Sequence, residues 1–172
     1  MNIGLVVLSY LMGSINFAYL VAKFKGVNIQ DLGSGNPGSS NVLRTMGKSY
    51  AIIVLIGDLL KGFIPVIMGL NYDYSLILGF VAVIGHCFPI FYKFKGGKGV
   101  ATYFGVYLAF IFNHPNAFSL DIPYFKVNLV LFFIILYFGL MKIFRISALA
   151  SLTTITLAGF TVIYSINDSF TI

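Results

Sequence analysis

Two glycine-rich, basic segments are the parts of this sequence whose residue types and spacing could support chemistry. The first glycine segment, residues 33–44, reads GSGNPGSSNVLR, and the second glycine segment, residues 94–102, reads FKGGKGVAT. Glycine lets backbone N–H groups approach a ligand closely, and successive N–H groups beside Lys or Arg can hold phosphate oxygens. Both segments therefore predict phosphate binding.

Small polar groups and one arginine are the candidate ligands in the first glycine segment. Pro37 and the surrounding glycines exclude a regular helix there. We expect the next helix to begin at Asn41, with Arg44 in its first turn, where a guanidinium could grip phosphate through two hydrogen bonds. A solvated loop with an ordinary topology-setting arginine explains the composition equally well. The candidate residues are Ser34, Gly35, Asn36, Gly38, Asn41 and Arg44.

Lysines and glycines are interspersed in the second glycine segment. Lys98 lies between glycines at the start of an apolar stretch, and a helix beginning there would add its dipole to the lysine charge. The alternative is a short basic turn that only fixes membrane topology, but topology alone does not require so many glycines. The pattern therefore favours phosphate binding. The candidate residues are Lys95, Gly96, Gly97, Lys98 and Gly99.

Apolar helices must position these segments. The chain has 172 residues, of which 59% are hydrophobic and 9% charged, and a mean hydropathy of +0.95, whereas about 25% of an ordinary soluble domain is charged. We expect an all-α, polytopic transmembrane bundle of about six spans, with residues 1–172 forming a single domain. The apolar stretches are 3–22, 50–70, 74–92, 99–112, 127–141 and 147–165. The fourth and fifth are short for a full crossing, which takes about 20 residues.

The distribution of positive charge predicts the sidedness of these spans. Nine of the 11 Lys and Arg residues fall in segments 23–49, 93–98 and 142–146, which are alternate loops. The positive-inside rule places these loops in the cytoplasm and the N-terminus outside. Both glycine segments then face the cytoplasm and can meet at one site. The net charge of +6 consequently points to anionic lipid or an anionic ligand rather than nucleic acid.

Other polar residues receive mainly structural interpretations. Asp58 and Lys61 are three residues apart within the second span, which favours a buried ion pair that holds helices together over a catalytic role. His86 ends the third span and is predicted to be structural, although a general base is conceivable chemically. Arg145 could contact phosphate near Ser151, but a topology-setting arginine and a helix-packing serine are equally compatible with the pattern. The sequence has no Glu and five Asp, so we expect no metal and disfavour a magnesium-dependent lipid kinase or phosphotransferase.

Longer motifs resemble the acyl-phosphate:glycerol-3-phosphate acyltransferases of bacterial membranes. The similarity extends from about Gly13 to Ser151, and the matching runs are Ser34–Arg44, Asp58–Gly62 and Gly85–Thr102. The resemblance implies transfer of a fatty acyl group from acyl phosphate to sn-glycerol 3-phosphate, giving lysophosphatidate and phosphate in phospholipid synthesis. We also expect a multi-pass protein of the bacterial cell membrane that needs no cofactor and can associate with other phospholipid-synthesis enzymes. By the same resemblance, Ser34, Arg44 and Lys98 hold phosphate groups at the catalytic site, while Asn36 and the glycines shape the pocket.

The chain also departs from this family's pattern. Family members usually have seven spans, and the seventh span and a following His-x-x-Asn segment have no counterpart here. Ala148 stands at the place of a serine, Ser151 matches a later serine, and Asn16 stands where proline is common. These departures leave a non-catalytic relative, one that binds lipid phosphate or a partner enzyme, as the main alternative. A small-anion transporter is disfavoured because the polar residues concentrate on one side of the membrane.

Overall fold

A computed structural model describes the backbone of residues 1–113, 125–144 and 147–169, and the side chains of residues 1–113, 131–144 and 149–161. The chain divides into two compact units, Met1–Ala109 and Phe110–Ile172. The described helices are α1 (Ile3–Ser14), α2 (Phe17–Phe24), α3 (Ser39–Met46), α4 (Lys48–Met68), α5 (Ser75–Cys87), α6 (Val100–Asn113), α7 (Phe125–Phe144) and α8 (Ser147–Ser169). Single 3₁₀ turns lie at Ile29–Asp31 and Ile90–Tyr92. These ranges contain no β-strand, which confirms the all-α prediction.

The helices follow the six apolar stretches. Among the residues whose side chains the structure describes, two helical segments are long and apolar enough to cross a membrane, or three if the bent pair α1 and α2 counts as one span. The total of six spans and their orientation stay predictions. Helix α6 is short, with 14 residues, as the fourth stretch predicts. The bounds 127–141 of the fifth stretch were too narrow, because α7 has 20 residues and extends from Phe125 to Phe144.

A break of two residues separates α1 from α2. Ile15 and Asn16 have extended backbones, and the two helices meet at an angle of 41°. The Asn16 side chain caps α2, its Oδ1 accepting the N–H groups of Ala18 at 3.1 Å and Tyr19 at 3.2 Å. The Ile15 carbonyl accepts the Lys61 ammonium at 2.7 Å. Because unsatisfied backbone groups are costly in an apolar medium, these side chains are what allow the helix to be interrupted here.

Glycines bring pairs of helices in the first unit unusually close together. A Cβ on Gly13 of α1 would overlap the backbone of Ala82 in α5, and a Cβ on Gly62 of α4 would overlap the carbonyl of Thr102 in α6. Small residues allow such close backbone approach in membrane helix pairs. These crossings fix the ends of α5 and α6, and the second glycine segment joins those two ends.

Candidate functional site

The two glycine segments meet within the first unit. A Cβ built on Gly97 would lie 3.1 Å from the Pro37 carbonyl oxygen. The same carbonyl accepts a hydrogen bond of 3.4 Å from Nδ2 of the buried Asn16. The prediction that the segments face one another is confirmed. A ligand at this junction is within reach of both.

Asn41 holds the loop that precedes α3. Its Oδ1 accepts the Ser34 N–H at 2.9 Å, and its Nδ2 donates to the Leu32 carbonyl at 2.9 Å. Gly33 and Gly35 have φ angles of +56° and +70°, which favour glycine. The Asn41 side chain is 2% exposed, and both of its polar atoms are engaged in shaping the loop. We therefore interpret Asn41 as a residue that supports the Ser34 backbone, and not as the direct phosphate ligand that the sequence predicted.

The predicted start of α3 was wrong. The helix begins at Ser39 after Gly38, and Arg44 lies in its last turn rather than its first. The Gly38 carbonyl already accepts the Asn41 N–H at 3.0 Å and the Val42 N–H at 3.1 Å, so the helix is under way before Asn41. The reason is that the Asn41 side chain bonds backwards to the loop instead of capping the residues that follow it. The positive end of the α3 dipole consequently lies beside Ser39, whereas the exposed Arg44 lies about 7.5 Å further along the helix axis.

The second glycine segment is a backbone turn built against His86. The Gly97 N–H donates to the His86 carbonyl at 3.2 Å. A Cβ on Gly96 would overlap that carbonyl, and a Cβ on Gly97 would overlap His86 Nε2. Only glycine therefore fits at either position. A basic turn that merely fixed membrane topology would not require this close approach to His86.

Lys98 stands two residues before the start of α6. Gly99 has a φ of +73°, and its carbonyl accepts the Tyr103 N–H at 2.8 Å as the helix begins at Val100. The prediction that a helix begins just after Lys98 is confirmed. The Lys98 side chain is exposed to solvent, yet partial burial lowers the pKa of its ammonium below the ordinary value. The cation and the positive end of the α6 dipole therefore act on the same region.

Aromatic residues attach α2 to the start of the second glycine segment. The Tyr19 hydroxyl donates to the Lys95 carbonyl at 3.0 Å, and the Tyr19 ring stacks on Tyr92 with the ring centres 4.4 Å apart. Lys93 and Phe94 both adopt left-handed backbones, with φ of 53° and 59°. Such backbones are uncommon outside glycine and need support from their surroundings. The Lys95 side chain is exposed, so it is available to an anionic ligand.

A buried polar chain lies behind the second glycine segment. Lys61 Nζ is 2.9 Å from Asp58 Oδ1, and His86 Nδ1 is 3.6 Å from the same oxygen. All three side chains are at most 4% exposed. The predicted ion pair is thus present, and His86 occupies a structural position at the end of α5. Sequence reasoning missed the contact between His86 and Gly97, although a Gly-Gly pair is itself a signal that something bulky approaches the backbone.

The remaining candidates are placed individually. Ser34 is exposed, while Asn36 and Gly38 are half-buried in the same loop, with a Cβ on Gly38 falling 3.0 Å from Asn36 Nδ2. Ser151 is 5% exposed on α8 of the second unit, and Arg145 lies outside the described residues. Their predicted contribution to phosphate binding stays a prediction. The described residues contain no cluster of three or more His, Cys, Asp or Glu side chains able to hold a metal ion.

Comparison with known proteins gives a consistent result. A family model described as glycerol-3-phosphate acyltransferase matches residues 3–172. Proteins named glycerol-3-phosphate acyltransferase from Aquifex aeolicus (strain VF5) and Endomicrobium trichonymphae are 46% and 48% identical over 110 and 122 residues, which are 61% and 68% of this chain. The matches span 57% and 61% of the length of these two relatives. The crystal structure of PlsY (YgiH), an integral membrane glycerol 3-phosphate acyltransferase in its glycerol 3-phosphate form, superposes with a TM-score of 0.72 and 32% identity, covering 98% of this chain and 90% of that one.

Proposed function

The chain belongs to the glycerol-3-phosphate acyltransferase family, and we propose on that basis that it transfers a fatty acyl group from acyl phosphate to sn-glycerol 3-phosphate. The products are 1-acylglycerol 3-phosphate, or lysophosphatidate, and inorganic phosphate. The protein is an integral membrane protein. We propose that residues 1–172 act as one acyltransferase domain in the bacterial cell membrane, with the site facing the cytoplasm.

The contact between Gly97 and the Pro37 carbonyl is the observation that supports this proposal most strongly. The reaction brings two phosphorylated substrates together, and the protein has two glycine-rich, basic segments that meet at one place. A helix, α3 or α6, begins within each segment, and its N-terminal dipole favours an anion. A single-anion site would not need both segments.

Ser34, Arg44 and Lys98 are the residues that we assign to the phosphate groups. Lys98 and Arg44 carry the positive charge, and the exposed Ser34 offers a hydroxyl on a loop that Asn41 holds in place. Because Arg44 lies at the far end of α3 from Ser34, we assign it to a different phosphate oxygen or to the second substrate. Arg145 and Ser151 stay in the proposal as phosphate ligands predicted from the sequence alone.

The chemistry requires no enzyme nucleophile. The primary hydroxyl oxygen of glycerol 3-phosphate attacks the acyl carbonyl carbon, and the bond from that carbon to the bridging oxygen breaks. Phosphate leaves with the bonding electron pair, and the hydroxyl proton passes to a phosphate oxygen of the substrates. The protein's part is to bring the two anions together and to stabilise the charge that develops at the carbonyl and the leaving group.

Phosphate release from palmitoyl phosphate by purified protein in detergent tests the proposal. Release must depend on glycerol 3-phosphate and must yield lysophosphatidate, identified by mass spectrometry, without acyl-CoA or acyl carrier protein. We expect Lys98→Ala and Arg44→Ala to abolish it. Folded protein that binds glycerol 3-phosphate but forms no product at saturating substrate would contradict the enzyme and support the non-catalytic relative.

The membrane setting suggests a partner as well. Acyl phosphate carries a long apolar chain and an activated anhydride, so transfer from the enzyme that makes it is easiest at the membrane. We therefore include association with other phospholipid-synthesis enzymes in the proposal. Co-purification from gently solubilised membranes, compared with a Lys93→Glu/Lys95→Glu variant of the exposed basic turn, would test it.

A further inference from the structure

We propose that Lys61, Asp58 and His86 form a buried positioning chain that sets the conformation of the Gly96–Gly97 turn for phosphate binding. The inference deepens the proposed function, because it rests on the second glycine segment being a phosphate site. None of the three side chains is placed in contact with substrate. They act through the backbone that they hold.

His86 is the link between the turn and the buried charges. Its Nδ1 faces Asp58 Oδ1 at 3.6 Å, and its Nε2 faces the Cα of Gly97 so closely that a Cβ there would overlap it. The distance to Asp58 is longer than a hydrogen bond, so the interaction is an electrostatic one between a carboxylate and the N–H edge of the ring. In a neutral histidine it favours the proton on Nδ1 and directs the other nitrogen to the turn.

Asp58 is itself held in place from the opposite side. Lys61 Nζ lies 2.9 Å from the same carboxylate oxygen and donates to the Ile15 carbonyl at 2.7 Å. Ile15 is followed by Asn16, whose side chain donates to the Pro37 carbonyl of the first glycine segment. This positioning chain of polar contacts therefore connects one glycine segment to the other through the interior of the first unit.

A turn without side chains depends on such support. Gly96 and Gly97 contribute no side-chain packing of their own, so their position is set by the surface against which the backbone lies. His86 supplies that surface twice, since its carbonyl accepts the Gly97 N–H at 3.2 Å and its ring lies beside the Gly97 Cα. A small rotation of the ring would move the turn, and with it Lys98.

Replacing both Asp58 and Lys61 distinguishes a role in positioning the turn from a role in stabilising the fold. Asp58→Asn alone leaves Lys61 uncompensated in the interior and is expected to destabilise the protein. The double variant Asp58→Asn/Lys61→Gln removes both charges and keeps an N–H donor for the Ile15 carbonyl, so we expect its melting temperature to return close to that of the wild type. Its Kd for inorganic phosphate and its KM for glycerol 3-phosphate should stay raised by about tenfold, while kcat changes less. Asp73→Asn, at an exposed aspartate, is the matched control and should leave the melting temperature, Kd, KM and kcat unchanged.

The state of the His86 ring can be observed directly. The chain has two histidines, so a His114→Gln background leaves a single histidine signal in a ¹⁵N spectrum. Asp58→Asn/Lys61→Gln should shift the tautomer balance of that signal, and Asp73→Asn should not. An unchanged tautomer, or wild-type phosphate affinity in the double variant, would overturn the positioning role. If the wild-type protein binds phosphate but does not turn over, only the proposed function fails, whereas a wild type that binds neither phosphate nor glycerol 3-phosphate defeats both.

Discussion

The Pro37 carbonyl oxygen and Gly97 are in such close contact that a methyl group on Gly97 would lie 3.1 Å from that oxygen. The two residues are 60 positions apart and belong to different loops. Asn16 holds the carbonyl from one side, and His86 holds Gly97 from the other. The site that we propose therefore has a backbone junction at its centre, supported by buried polar side chains and surrounded by exposed cations.

Gly97→Ala should inactivate the enzyme without unfolding it. The new methyl group would overlap His86 Nε2 and crowd the Pro37 carbonyl, so the turn must shift, and a shift of about 1 Å can cost about 100-fold in rate. The measurement is kcat/KM for lysophosphatidate formation together with the melting temperature. Gly139→Ala is the control, because in the described part of the chain no atom outside the local backbone of α7 lies within 4 Å of a Cβ at that glycine. Equal rates for the two variants would show that the junction tolerates displacement.

Asn41→Ala should loosen the first glycine segment. Removing the side chain leaves the Ser34 N–H without its acceptor, at a cost of about 1–3 kcal/mol if that group stays buried. The Leu32 carbonyl loses one of its two donors and keeps the Gly35 N–H. We expect a lower free energy of unfolding and a raised KM for glycerol 3-phosphate. Ser40→Ala, one residue earlier and exposed, should change neither. A raised KM with no loss of stability would instead indicate that Asn41 contacts substrate directly.

The alkaline limit of activity should depend on Lys98. Partial burial lowers the pKa of this ammonium from its ordinary value of 10.5, so the positive charge is present below the lowered pKa and is lost as the pH rises through it. Phosphate binding should therefore weaken at a lower pH than for an ordinary lysine. Lys98→Arg should move the rise in KM to higher pH, because guanidinium stays charged. Lys48→Arg is the control, and an identical pH profile for wild type and Lys98→Arg would contradict the assignment.

Arg44 should be intolerant of both removal and conservative replacement. Arg44→Ala should abolish measurable activity, and Arg44→Lys should recover only part of it, since lysine is a point charge that cannot form two parallel hydrogen bonds with a phosphate. Both variants should melt like the wild type, because Arg44 is exposed at the end of α3. The neighbouring exposed cation provides the comparison, and Lys48→Ala should retain activity. Full activity in Arg44→Lys would mean that charge alone is required.

The sequence predicted the chemistry better than the local geometry. Hydropathy and the alternation of basic loops predicted that both glycine segments lie at one membrane surface and can meet, because these properties are set by the solvent rather than by particular contacts. The contact between Gly97 and Pro37 confirms that the segments meet, and their membrane sidedness stays a prediction. The start of α3 was misjudged because an asparagine can bond either forwards into a helix or backwards into a loop, and the choice at Asn41 depends on Leu32 and Ser34. The contact of His86 with Gly97 was missed because it requires α5 to approach α1 through Gly13 and Gly85, which is a matter of packing.

The fate of the bridging oxygen of acyl phosphate tests the central claim most directly. Palmitoyl phosphate labelled with ¹⁸O at that position is incubated with the protein and glycerol 3-phosphate, and the products are analysed by mass spectrometry. Acyl transfer breaks the bond between carbon and the bridging oxygen, so the account predicts that all of the label leaves with inorganic phosphate and that an equal amount of unlabelled lysophosphatidate forms. Label retained in palmitate would mean attack at phosphorus, and it would contradict the account.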